Sequence, residues 1–160
     1  MKTNYLFPHR YKKLGWIILI PCVVFGFFTV ITDYEPEFLD VQVFALFIDG
    51  FLGEDKIIGF TGNNILNEIL GVLVICSGLL VAFSREKHED EFISKIRLES
   101  LVWATYLNYG ILVLAMLLFY DFTFLWVMIF NMFTILLFFI FKFNWSVWQL
   151  QKSLSYEEQH

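Results

Sequence analysis

The chain reads as an all-α integral membrane protein, a bundle of four transmembrane helices with both termini in the cytoplasm. Three observations predict this. First, of 160 residues 58% are hydrophobic and 20% aromatic, with 20 Phe, more than one water-soluble core of this size can hide. Second, the apolar residues are blocked into four long runs rather than spread at a helical or strand period. Third, the basic residues gather in alternate connections between those runs.

The runs are Leu14–Thr32, Ile65–Phe83, Ser100–Tyr120 and Phe122–Phe141. Each has about 20 residues, enough for a helix rising about 1.5 Å per residue to cross about 30 Å of hydrocarbon. None carries Lys or Arg, and Glu68 is the single acid inside them. Lipid offers no partner to an open strand, and the alternation of an outer-membrane barrel is absent. The single membrane domain, 1–160, therefore divides into a first span 14–32, an outer loop 33–64, a second span 65–83, a connection 84–99, third and fourth spans 100–120 and 122–141, and a tail 142–160. The first run follows Arg10, Lys12 and Lys13 as a signal peptide would. Its core is longer than the usual ~7–15 residues and no small-x-small site follows, so it reads as a retained anchor.

Ten of the eleven basic residues lie in the N-terminus, the 84–99 connection or the tail; Lys56 alone lies in the outer loop. Basic residues of short loops stay in the cytoplasm, which orients both termini inward. The outer loop carries seven acids, and the net charge of −5 is the average of two unlike faces. Tyr11, Trp16, Trp103, Trp145 and Trp148 mark the inner interface, and Tyr34, Tyr120 and Trp126 the outer one.

Pro21 lies mid-span in the first run and bends it. Within the outer loop, "LDVQVFALFI" is β-prone and "KIIGFTG" pairs with it across "DGFLGED" as a small β-hairpin; an interfacial helix is the rival reading. Asn67 and Glu68 form an outer-edge polar pair. Thr61 or an Asn caps the second helix, with Glu68 near its positive end, or the pair belongs to a gate.

"REKHEDEFISKIRLES", residues 85–100, reads as the solvated start of one helix that begins near Glu89 and continues through the third span. Lys87, Glu91, Lys95 and Glu99 share an i,i+4 row, and Arg85 pairs with Glu89. The "HEDE" at 88–91 lacks metal or catalytic spacing. Phe92 and Ile96 on this stub, and Val147, Leu150 and Leu154 on the tail, fall on helical stripes. They either bury one another or offer a partner surface. Deeper in the spans, Ser77, Asn108, Asn131 and Thr134 form a midplane polar cluster. Ser77, Asn108 and Thr134 each lie 12 residues, about 18 Å, from the outer end of their run. Ser100, Ala104, Asn108 and Ala115 line one side of the third helix, and Gly71, Gly78 and Ala82 one side of the second, as close helix approach requires.

The run "FSREKHEDEFISKIRLESLVWATYLNYG" resembles a stretch shared by uncharacterised small four-span bacterial inner-membrane proteins. The resemblance implies the four-span layout and the bacterial cytoplasmic (inner) membrane, and no activity. No catalytic motif, nucleic-acid stripe or paired in-membrane histidine occurs, so no catalytic residue, metal, cofactor or nucleic-acid partner is assigned. The reading is a non-catalytic accessory or sensory membrane protein that binds a cytoplasmic protein partner through its helix extensions. The alternative is a homo-oligomeric channel or transporter using the midplane cluster.

Overall fold

The computed structural model describes residues 5–48, 56–87 and 89–157; side chains are described for 5–45, 58–87, 89–120 and 123–154. Four helices and one hairpin follow in order: α1 Arg10–Thr32, a 3-10 turn Glu37–Leu39, β1 Asp40–Ile48, β2 Lys56–Asn64, α2 Leu66–Ala82, α3 Glu91–Leu118 and α4 Asp121–Glu157. The helical class and the small two-stranded sheet stand as read from sequence, and the interfacial-helix rival for the outer loop does not. The turn expected at "DGFLGED" lies outside the described residues.

α1, α3 and α4 are long and apolar enough to cross a bilayer. In their most apolar windows 17%, 17% and 11% of the residues are buried. So much outward-facing Ile, Leu and Phe, at Ile17, Leu114, Leu117, Leu125 and Met132 among others, asks for an apolar solvent. α2 is shorter, 17 residues against the 19 of the expected run. Its ends explain the difference. At the start, the Asn64 side chain accepts from the Leu66 N–H at 3.2 Å, so Asn64, not Thr61, caps the helix. At the finish, Phe7 forms a parallel bridge to Ser84 and draws the chain out of the helix. The Phe7 N–H donates to the Phe83 carbonyl, and the Arg85 N–H to Phe7.

The chain divides into two compact units, Ile20–Leu73 and Met1–Leu19 with Val74–His160. In the first of these, α1 ends in a Schellman turn. Asp33 adopts φ 48°, and the Tyr34 N–H reaches back to the Thr29 carbonyl at 3.3 Å. The Tyr34 ring lies 6.3 Å from that of Phe28, the hydrophobic contact this turn favours. β1 and β2 pair antiparallel, with Phe44 opposite Phe60 and Val43 opposite Thr61. The facing rings of Phe44 and Phe60 meet edge-on at 5.8 Å. Asn64 also ties the hairpin base to the turn, donating to the Pro36 carbonyl at 2.9 Å and to the Asp40 carboxylate at 2.6 Å.

In the other unit, only Phe119 and Tyr120 separate α3 from α4, which therefore fold back on each other as an antiparallel pair. Ser100, Ala104, Asn108 and Ala115 are all buried along α3, as their spacing predicted. Gly15 lets α1 approach α2: a Cβ there would stand 2.8 Å from Val81 Cγ2 and 3.0 Å from the Ser77 carbonyl. Gly78 likewise abuts Leu136 of α4. Phe139 stacks on Phe143 and lies 5.6 Å from Phe83, and both phenylalanines of α4 are fully buried. This aromatic core sits at the end of the unit where α2 finishes and α3 begins.

Candidate functional site

Two polar constellations lie in this unit, and the sequence pointed to one of them. Asn108, Asn131 and Thr134 meet between α3 and α4. The Asn108 amide donates to Asn131 Oδ1 at 3.2 Å, and the Asn131 amide returns to Asn108 Oδ1 at 3.3 Å and to its backbone carbonyl at 3.4 Å. The Thr134 hydroxyl contacts Asn108 Oδ1 and the Asn131 carbonyl. Three of the four residues expected to cluster, Asn108, Asn131 and Thr134, thus meet. The Ser77 hydroxyl donates within α2, to the Val74 carbonyl at 3.3 Å. Toward the α3–α4 turn, Asn131 borders an apolar groove of about 270 Å³ lined by Leu112, Met116, Phe124 and Met128.

The second constellation occupies the connection that sequence alone made a solvated stub. Asp90 accepts from the Ile93 N–H at 2.7 Å and caps α3, so the helix starts at Glu91 and Arg85 and Lys87 precede it. The expected Lys87–Glu91 and Arg85–Glu89 pairs therefore have no helix to share. Glu89 is taken instead by Arg97, whose guanidinium donates to both carboxylate oxygens at 2.9 and 3.0 Å. The same guanidinium donates to the carbonyls of Ala82 and Ser84 at 3.0 and 3.2 Å. It thereby satisfies buried carbonyls that the end of α2 leaves without a helical partner, a position where cation and helix dipole agree. Arg97 is 9% exposed, and its Nε is buried without an acceptor among the described residues. Beneath it lies Phe143, its ring centroid 4.5 Å from the guanidinium carbon.

Lys12 of α1 completes the arrangement. Its ammonium pairs with Glu86 and lies 5.7 Å from the same Phe143 ring. The Glu86 N–H donates to Glu89 at 2.8 Å, so the two ion pairs are joined through the backbone. The His9 Nδ1 donates to the Arg85 carbonyl at 2.9 Å, beside the Phe7–Ser84 bridge. Residues 83–90 are thus stitched to α1, α3 and the N-terminal segment. His88, part of the "HEDE" reading, lies outside the described residues. The solvated reading does hold for the outward row, where Lys95 and Glu99 are exposed and 4.0 Å apart.

The signal for Arg97 was present in the sequence. It stands four residues after Ile93 and three before Ser100, on the same face as Ala104 and Asn108. Extending the small-residue stripe one turn toward the N-terminus reaches it.

The candidate partner residues separate. Val147 is buried, Ile96 and Leu150 are half-buried, and Phe92 and Leu154 are exposed. At the other proposed edge, Asn67 and Glu68 are exposed, and Glu68 accepts from the Asn63 amide at 2.8 Å in the first turn of α2. Comparison with family models, curated proteins and solved structures returns no match to this chain.

Proposed function

We propose that the chain is a four-span, non-catalytic accessory or sensory protein of a bacterial inner membrane, with both termini in the cytoplasm, which holds a soluble protein partner on the helix extensions of α3 and α4. In this reading α2, although short, also crosses the bilayer, and the stitched 83–90 connection lies on the cytoplasmic side with ten of the eleven basic residues.

The observation that carries the reading is the continuity of α4. Its 37 residues amount to about 55 Å of helix, well beyond the hydrocarbon thickness. The surplus carries Leu154, which is exposed, and Leu150, half-covered; at the start of α3 Phe92 is likewise exposed and Ile96 half-covered. Co-purification of the tagged chain after gentle solubilisation is the test. A stoichiometric soluble partner lost on Leu150→Glu or Ile96→Glu supports the proposal; a monodisperse chain with no partner, indifferent to both changes, removes it. Impermeant labelling of cysteines placed in 33–64 on intact cells tests the orientation separately.

A channel or transporter is the second reading, favoured by the groove beside Asn131. It ranks lower because Asn108, Asn131 and Thr134 spend their hydrogen bonds on one another. Flux into vesicles reconstituted with the protein decides it.

A further inference from the structure

We infer that Lys142, Trp103 and Trp145 form a binding site for the headgroup of an anionic glycerophospholipid, at the end of the helix pair where α3 begins. Lys142 is the first charged residue after the 20 uncharged positions Phe122–Phe141 of α4, so a bilayer around that run sets its ammonium at the headgroup level. The ammonium lies 5.6 Å from the centroid of Trp103 on α3. One turn further along α4, Trp145 stacks on Phe141 at 6.0 Å and lies 5.7 Å from Trp148. Trp103 and Trp145 are both exposed. Their indole N–H groups are donors that need acceptors when water is excluded.

Charge sets Lys142 apart from Lys12, Arg97 and Lys95. Lys12 is neutralised by Glu86, Arg97 by Glu89, and Lys95 by Glu99. Among the described residues no carboxylate stands within ion-pair distance of Lys142. Its counter-charge is supplied from outside the chain, and a phosphodiester carries it. A headgroup of net negative charge fits better than phosphocholine, whose own ammonium already accompanies its phosphate.

The flank below the site selects lipid over dissolved phosphate. Phe141, next to Lys142 in α4, and Tyr106, one turn beyond Trp103 in α3, are exposed and give the acyl chains an apolar wall that a free anion cannot use. The inference rests on the membrane reading above, not on the partner reading.

The test uses the full chain in vesicles, with Trp16, Trp126 and Trp148 replaced by Phe so that emission comes from the site. Brominated phosphatidylglycerol is compared with brominated phosphatidylcholine as quencher. The expected result is about a fivefold preference for phosphatidylglycerol, abolished by Lys142→Gln, kept by Lys142→Arg and kept by Lys13→Gln. Lipid retention by the unmodified chain in native mass spectrometry should give the same order. Equal quenching by the two lipids, or a preference that survives Lys142→Gln, overturns the site. So does a preference erased by millimolar inorganic phosphate at constant ionic strength, which would mark a dissolved-anion site. Carbonate washing separates the two levels: a chain that stays in the membrane without lipid preference refutes the site alone, whereas a chain that washes out refutes the membrane reading with it.

Discussion

Replacing Arg97 by Met keeps an apolar stem over Phe143 and removes four charge-assisted hydrogen bonds, two to Glu89 and one each to the Ala82 and Ser84 carbonyls. The cost is dominated by what is left behind. Glu89 keeps the Glu86 N–H at 2.8 Å but loses its cation while 21% exposed, and the end of α2 loses its cap. Breaking a buried ion pair from one side costs about 3–5 kcal/mol. Water can reach Glu89, so the expected loss is nearer ~2–3 kcal/mol. Adding Glu89→Gln to Arg97→Met removes the stranded charge and should recover about half of that loss, so the coupling, which also contains the cost of Glu89→Gln alone, is at least about 1 kcal/mol. Arg97→Lys should fall between, since one ammonium cannot serve both the Glu89 carboxylate and the two backbone carbonyls that the guanidinium reaches with separate nitrogens. Reversible unfolding in mixed micelles, followed by tryptophan fluorescence, supplies all the values. If Arg97→Met lies within about 0.5 kcal/mol of the parent, or the double variant is simply additive, the guanidinium is not holding this end together.

Gly15→Leu should destabilise the chain by about 1–3 kcal/mol in the same assay, because its side chain has to displace Val81 and the backbone at Ser77; Gly110→Ala, where a Cβ meets nothing, serves as the control. Asn108→Ala should cost about 1 kcal/mol, within the measured range for intramembrane hydrogen bonds, and a cycle with Asn131→Ala should show that most of it is shared. Asp33→Gly should stabilise by about 0.5–1 kcal/mol by relieving a left-handed residue with a Cβ at the end of α1. A Phe44→Ala and Phe60→Ala cycle should return about 0.5–1 kcal/mol, read from amide-exchange protection of the hairpin.

Residue patterning carried much of this architecture. Uninterrupted apolar runs reported the long helices, since nothing but a helix satisfies its backbone over that length without water. The β-branched and aromatic run at 39–48 reported the hairpin, and the spacing of Ser100, Ala104 and Asn108 reported the packed face of α3. Asn108, Asn131 and Thr134 were brought together by comparing depths along antiparallel helices. What escaped was the polar stitching at residues 83–90. Charge is ordinarily a mark of solvent, and a run of mixed sign invites i,i+4 pairing along a single helix. Here Asp90 caps α3, whose first residue is Glu91, so Arg85 and Glu89 both precede the helix along which they would have paired. The partner of Glu89 comes from two turns ahead, and the partner of Glu86 from α1, 74 residues back. Pairings of that range depend on where the chain turns, which local spacing does not record.

α4 runs for 37 residues without a proline or a glycine. Such a rod has no joint at which a push can be absorbed. A twist applied at Leu154 is therefore carried along one unbroken helix toward Asn131 and the groove beside Phe124. Anything that grips the tail becomes a crank on the other end of the helix pair.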